Sequence, residues 1–131
     1  MITDDLRSYI KSHLDLLPVE QTLQPSDAEC RAARLLVATA FLADYRHSML
    51  AAKIAANSEA ISTYSKVMNT TEFGPKVTVT EKKSLTEANP DYLKSQESVD
   101  VFENNAKYLS TIIEVFNNGH LLLRQIAKGT L

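Results

Sequence analysis

The chain has 131 residues, 44% of them hydrophobic and 23% charged, with a formal net charge of -2. That is enough apolar chain for one folded domain, and the slightly acidic balance excludes a protein coated in basic charge for duplex DNA. The single cysteine, Cys30, excludes an intramolecular disulfide and a multi-cysteine zinc site.

Residues Thr3 to Leu17 read as a short amphipathic helix. Thr3 is the N-cap, and Asp4 and Asp5 sit in the first turn, where negative charge suits the helix dipole. Leu6, Ile10, Leu14 and Leu17 follow at helical spacing, and Pro18 ends the pattern. Val19 to Pro25 reads as a linker. This N-terminus has no apolar core of signal-peptide length, and no run approaches the ~18 apolar residues of a membrane span. A soluble cytoplasmic protein is the expectation.

Ser26 opens a second helix, with Ser26 and Glu29 placed for a capping box. Helical spacing then continues without proline or glycine to about Met68. One heptad-like stripe runs through Leu35, Ala38, Leu42, Tyr45, Met49, Ala52 and Ala56. A second runs through Leu36, Ala40, Ala43, Leu50, Ile54, Ile61 and Met68. An apolar face that wide contacts more than one neighbour. Asn69 to Lys83 breaks the pattern, with a turn at Gly74-Pro75. The β-branched run Val77-Thr78-Val79-Thr80 predicts a short strand, and Glu81 to Ala88 a turn or two of helix.

Asn89-Pro90-Asp91 starts a long helix: Asn at N-cap, Pro at the first helical position, an acid behind them. Tyr92, Val99, Ala106, Ile113, His120 and Ala127 recur every seven residues, and Ser95, Phe102, Leu109, Phe116 and Leu123 form a second series offset by three. Two such interleaved series place one apolar seam along the helix. Asn117-Asn118-Gly119 is its weakest point by propensity. His120 and Leu123 stay in phase across it, so the helix is expected to continue to a normal end at Lys128-Gly129.

The predicted fold is all-α, a single helical oligomerising domain over residues 1–131. A short N-terminal helix precedes two long helices in an antiparallel hairpin or coiled-coil arrangement, with an irregular loop or short β segment near 70–83. The seam residues Tyr92, Val99, Phe102, Leu109, Ile113, Phe116, His120 and Leu123 are the expected oligomer interface, and a homo-oligomer follows from more apolar seam than one small chain covers.

Residues with chemistry to offer are few. His13, His47 and His120 have no partner at metal-ligand spacing. His120, on the seam, is expected to be a hydrogen-bonded interface histidine. No histidine is close to Cys30 in sequence, so Cys30 reads as a small packed residue. Neither a nucleophile elbow nor a phosphate-binding glycine loop is present. A non-enzymatic protein with no metal or cofactor is the expectation. The basic residues point elsewhere. Arg46 and Lys53 are seven apart on one helix, and Lys76, Lys82 and Lys83 cluster near the loop beside Phe73. Cations for phosphate and a ring for base stacking are what a single nucleic-acid strand needs.

The order of these elements resembles the UvsY-type recombination mediators of bacteriophages. The likeness lies in an alanine-bearing long helix ending in Thr63-Tyr64-Ser65, then a polar loop with Phe73. Lys83-Ser84-Leu85-Thr86-Glu87-Ala88-Asn89-Pro90-Asp91-Tyr92-Leu93-Lys94 follows, and then a long helix through Tyr108, Ile112, Phe116 and Leu122 to Arg124-Gln125-Ile126. It covers roughly Ser26 to Ala127. The resemblance implies a ring-forming helical protein in the host cytoplasm that binds single-stranded DNA. It also implies a role in loading a strand-exchange recombinase in place of a single-strand-binding protein. The family's basic motif before the Tyr-Ser position is replaced here by Asn57-Ser58-Glu59-Ala60. The charge would then have to come from Arg46, Lys53, Lys76, Lys82 and Lys83. The alternative is a helical protein-interaction module, a phage-encoded inhibitor or assembly factor, without nucleic-acid binding.

Overall fold

The computed structural model describes residues 2–18 and 23–129. Four helices follow in order: α1 (Asp4–Leu14), α2 (Pro25–Thr70), α3 (Val79–Glu87) and α4 (Pro90–Lys128). The fold is all-α, with α2 and α4 packed antiparallel and α3 between them in sequence.

The helix ends follow local chemistry. Thr3 caps α1, its Oγ1 accepting from the Leu6 amide at 3.1 Å. α2 starts at Pro25, one residue before the expected Ser26 cap, and the Gln24 carbonyl accepts from the Ala28 amide at 3.0 Å. A proline at the first helical position loses no hydrogen bond and has φ already set, so it outcompetes the capping box. Four residues of the expected Val19–Pro25 linker, 19–22, lie outside the described residues. At α4, Asn89 Oδ1 accepts from the Asp91 amide at 2.9 Å. Gly129 closes the helix with φ of 69°, a left-handed conformation that glycine adopts without strain.

The expected strand at Val77–Thr80 is not formed, and no strand occurs among the described residues. Thr78 instead caps α3, accepting from the Glu81 amide at 3.1 Å. Thr78-Val79-Thr80-Glu81 has the Thr-x-x-Glu order of a capping box. An isolated strand would leave its backbone donors unpaired, whereas the cap and the first helical turn satisfy them locally. The Gly74-Pro75 turn is present, closed by the Val77 amide on the Gly74 carbonyl at 3.1 Å.

The chain divides into two compact units. The first holds α1, α2 to Ser48 and α4 from Asn105. Its core is Leu6, Ile10, Leu16, Ala28, Ala32, Leu35, Ala38 and Leu42 against Ala106, Leu109, Phe116 and Leu123. Aromatic contacts bind α1 to both long helices: Tyr9 lies 4.7 Å from Phe41 and His13 lies 6.2 Å from Phe116, centroid to centroid. Burial pushes the Tyr9 phenol above its ordinary pKa, against a smaller opposing effect of Arg34. Within the low-propensity triplet, Gly119 sits at a close approach. A Cβ there would overlap Leu17 Cδ2 and come within 3.3 Å of Leu35 Cδ1. Any larger residue there would have to displace the Leu17 side chain that follows α1.

The second unit runs from Met49 to Asn104. Its buried apolar residues are Met49, Ala60, Val67 and Val99, a thinner core than the first unit's. Tyr64 and Tyr92 meet edge to face at 5.3 Å. The fully buried Thr86 anchors α3: its hydroxyl donates to the Lys82 carbonyl at 2.7 Å and lies 3.7 Å from the Met68 sulfur.

Candidate interaction surfaces

Two kinds of surface follow from this packing: a polar segment at the α2–α3 turn, and the helix faces left over after the core is filled.

In the second unit, residues 71–78 and α3 carry Phe73, Lys76, Lys82 and Lys83. Lys82 Nζ lies 5.7 Å from the Phe73 ring centre, a cation–π distance. Phe73 is half-buried and helps line an open cavity of about 450 Å³ with Val67, Val77, Leu85 and Thr86. Lys76 and Lys83 are exposed, as are the acids Glu72, Glu81 and Glu87 of the same stretch. Lys53 is engaged elsewhere, its Nζ 3.7 Å from Glu103 Oε1, with both side chains more than a third exposed. Such a pair contributes little stability, but it holds Lys53 against α4. Arg46 belongs to the first unit and is half-buried. The structure therefore brings Phe73 and Lys82 together, keeps Lys76 and Lys83 on the same short segment, and separates Lys53 and Arg46 from them.

The heptad seam of α4 is filled within the chain. Val99, Leu109, Phe116, His120 and Leu123 are buried, and Tyr92, Phe102 and Ile113 are half-buried. His120, 8% exposed, donates from Nδ1 to the Ala32 carbonyl of α2 at 2.9 Å. The remaining lining of an open cavity of about 340 Å³ at His120 includes Glu29, Leu36, Arg124 and Lys128.

Other apolar residues face outward. In the first unit they are Leu36, Val37 and Phe41 on α2, and Tyr108, Val115, Leu121 and Leu122 on α4. Tyr108, Val115 and Leu122 repeat every seven residues, one stripe on one helix face. In the second unit Ile54 and Ile61 of α2 stand out, 69% and 60% exposed. Single exposed apolar residues are ordinary, but stripes of them mark contact surfaces. Of the two stripes read on α2, the one through Leu35, Leu42 and Met49 is buried. The other is exposed at Leu36, Ala40, Ala43, Ile54 and Ile61 and half-buried at Leu50 and Met68.

Groups for catalysis are sparse. No cluster of three His, Cys, Asp or Glu able to hold a metal occurs among the described residues. Cys30 is exposed, and it shares an open cavity of about 380 Å³ with His13, Arg34 and Val37. This neighbour was invisible in the sequence, because His13 comes to Cys30 only through the packing of α1 on α2. His13 donates from Nδ1 to the Tyr9 carbonyl at 2.8 Å. No described helix is long and apolar enough to cross a membrane.

Comparison with models of known families, with curated proteins and with solved structures finds no match.

Proposed function

We propose that this protein acts by non-catalytic association, as a helical interaction module whose outer apolar faces bind protein. One observation carries the reading: after the chain has buried its own α2–α4 seam, ordered apolar residues remain exposed, as in the Tyr108, Val115 and Leu122 stripe. Leaving apolar area in water forgoes roughly 25 cal/mol per Å², and a bound partner recovers it. The test is photocrosslinking in cells from a reactive residue at Val115, with the exposed Glu114 position as control. Adducts specific to Val115 and lost on Leu122→Glu are expected. Crosslinking no stronger than from Glu114 refutes the reading.

A second reading has its own support in the stacking of Lys82 on Phe73 beside Lys76 and Lys83. In it the protein is a recombination accessory of the UvsY-type mediator class, and the segment from Phe73 to Lys83 touches single-stranded DNA. A base would replace Lys82 on the ring and free its ammonium for phosphate. A recombinase and a single-strand-binding protein would be the further partners, with a ring as the assembly. Binding of a fluorescent oligothymidine at low salt is expected to weaken about tenfold in the Lys76→Ala, Lys82→Ala, Lys83→Ala triple variant. Its log–log salt slope should flatten by about two, at roughly 0.7 per lost phosphate contact. An unshifted oligonucleotide at low salt rules this reading out.

A further inference from the structure

We infer that the outer face of α2 between Ala51 and Ser65 is a self-association surface, on which a second copy of this chain docks antiparallel about a twofold axis. The inference rests on the interaction reading above and names the partner for a separate face.

Ala51, Ile54, Ser58, Ile61 and Ser65 succeed one another at alternating steps of three and four, so they form one straight stripe on α2. All five are exposed, as are Ala55 and Ser62 beside them. The stripe lies wholly within the second unit. It carries no charged side chain, so a copy of it meets no like charge. Its two heptad series differ in size. Ala51, Ser58 and Ser65 are small, and Ile54 and Ile61 are large and β-branched.

That asymmetry selects an orientation. In a parallel pair each isoleucine stacks on its own counterpart and each small residue on its own, which alternates crowding with gaps. In an antiparallel pair centred near residue 56, Ile54 lies over Ser58 of the second copy and Ile61 over Ala51. The four layers between Ala51 and Ile61 are then large on small, and the two helices approach evenly along them. Asn57, exposed at the margin, faces its own counterpart across the axis. A primary amide is self-complementary there, since it donates and accepts. The contact is isologous and closes at two copies. It is smaller than the ~800 Å² per partner of a standard interface, so the dimer dissociates on dilution.

Sedimentation equilibrium of the purified chain tests this. A reversible monomer–dimer equilibrium is expected at roughly 10–200 µM, the range of a small contact. Ile54→Glu and Ile61→Glu should each leave monomer throughout, with unchanged helicity and melting, whereas Leu122→Glu should dimerise as the parent does. On a Cys30→Ser background, Ala51→Cys mixed with Ile61→Cys should form a disulfide-linked dimer under mild oxidation, and Ala51→Cys alone should not. A chain that stays monomeric, an Ile54→Glu variant that dimerises like the parent, or Ala51→Cys crosslinking to itself each overturns the inference. A monomeric chain that still gives Val115-specific adducts overturns self-pairing alone and leaves the interaction reading standing.

Discussion

Phe116→Ala is expected to cost about 3–5 kcal/mol, the usual loss for emptying a fully buried phenylalanine site. Phe116 has no solvent exposure and sits in the α4 seam, beside the His13 ring of α1. Truncation removes its transfer free energy and leaves a cavity that three helix surfaces would have to collapse to fill. Against a typical total of roughly 5–15 kcal/mol, that loss is enough to unfold the first unit under mild denaturation. Urea melts followed by far-UV circular dichroism would measure it. Val115→Ala, one residue away and 37% exposed, should shift the midpoint little. Equal effects from the two would mean that α4 does not present the face described.

Gly119→Leu should have the second-largest effect, with a sign that propensity alone gets wrong. Replacing a mid-helix glycine normally stabilises by about 1 kcal/mol. Here the new side chain would have to enter space held by Leu17 and the fully buried Leu35. Overpacking of this kind costs typically 1–3 kcal/mol, and displacement of Leu17 would loosen the seat of α1. A lower melting temperature, with faster amide exchange in α1 than in the parent, is the expected result. A variant more stable than the parent would show that Leu17 is not held against α4. Asn118→Leu, exposed next door, should be neutral or slightly stabilising.

The same triplet shows where sequence reading stops. Asn117-Asn118-Gly119 looks like a weak point because propensity is a local quantity. The reason for a glycine there lies about a hundred residues upstream, in Leu17, and nothing in the local pattern points to it. His120 is similar. Its place on the seam was legible from spacing, and so was a hydrogen bond. That the acceptor is the Ala32 carbonyl of the same chain was not. The Val77–Thr80 strand fails for another reason. β-branched composition predicts a strand, but the Thr78 cap satisfies backbone donors at once and a strand needs a partner.

Among the binding candidates, closeness in sequence was a fair guide only over short range. Phe73 and Lys82 do meet, because a single turn joins the loop to α3. Arg46 and Lys53 share a helix but not a fate, since Lys53 is drawn to Glu103 of α4. The Cys30 and His13 pairing in one cavity had no signal in spacing at all.

By itself the sequence determined the helices, most of their ends and the apolar faces of the two long ones, because capping and 3.6-residue periodicity are properties of neighbouring residues. Only the tertiary structure decided which faces are spent. Two stripes on α2 look alike as patterns, yet the antiparallel path of α4 covers Leu35, Leu42 and Met49 and leaves Ile54 and Ile61 in water. Burial depends on which surface the chain brings back against itself. For this protein that choice turns the α4 seam into its core and the outer side of α2 into its free face.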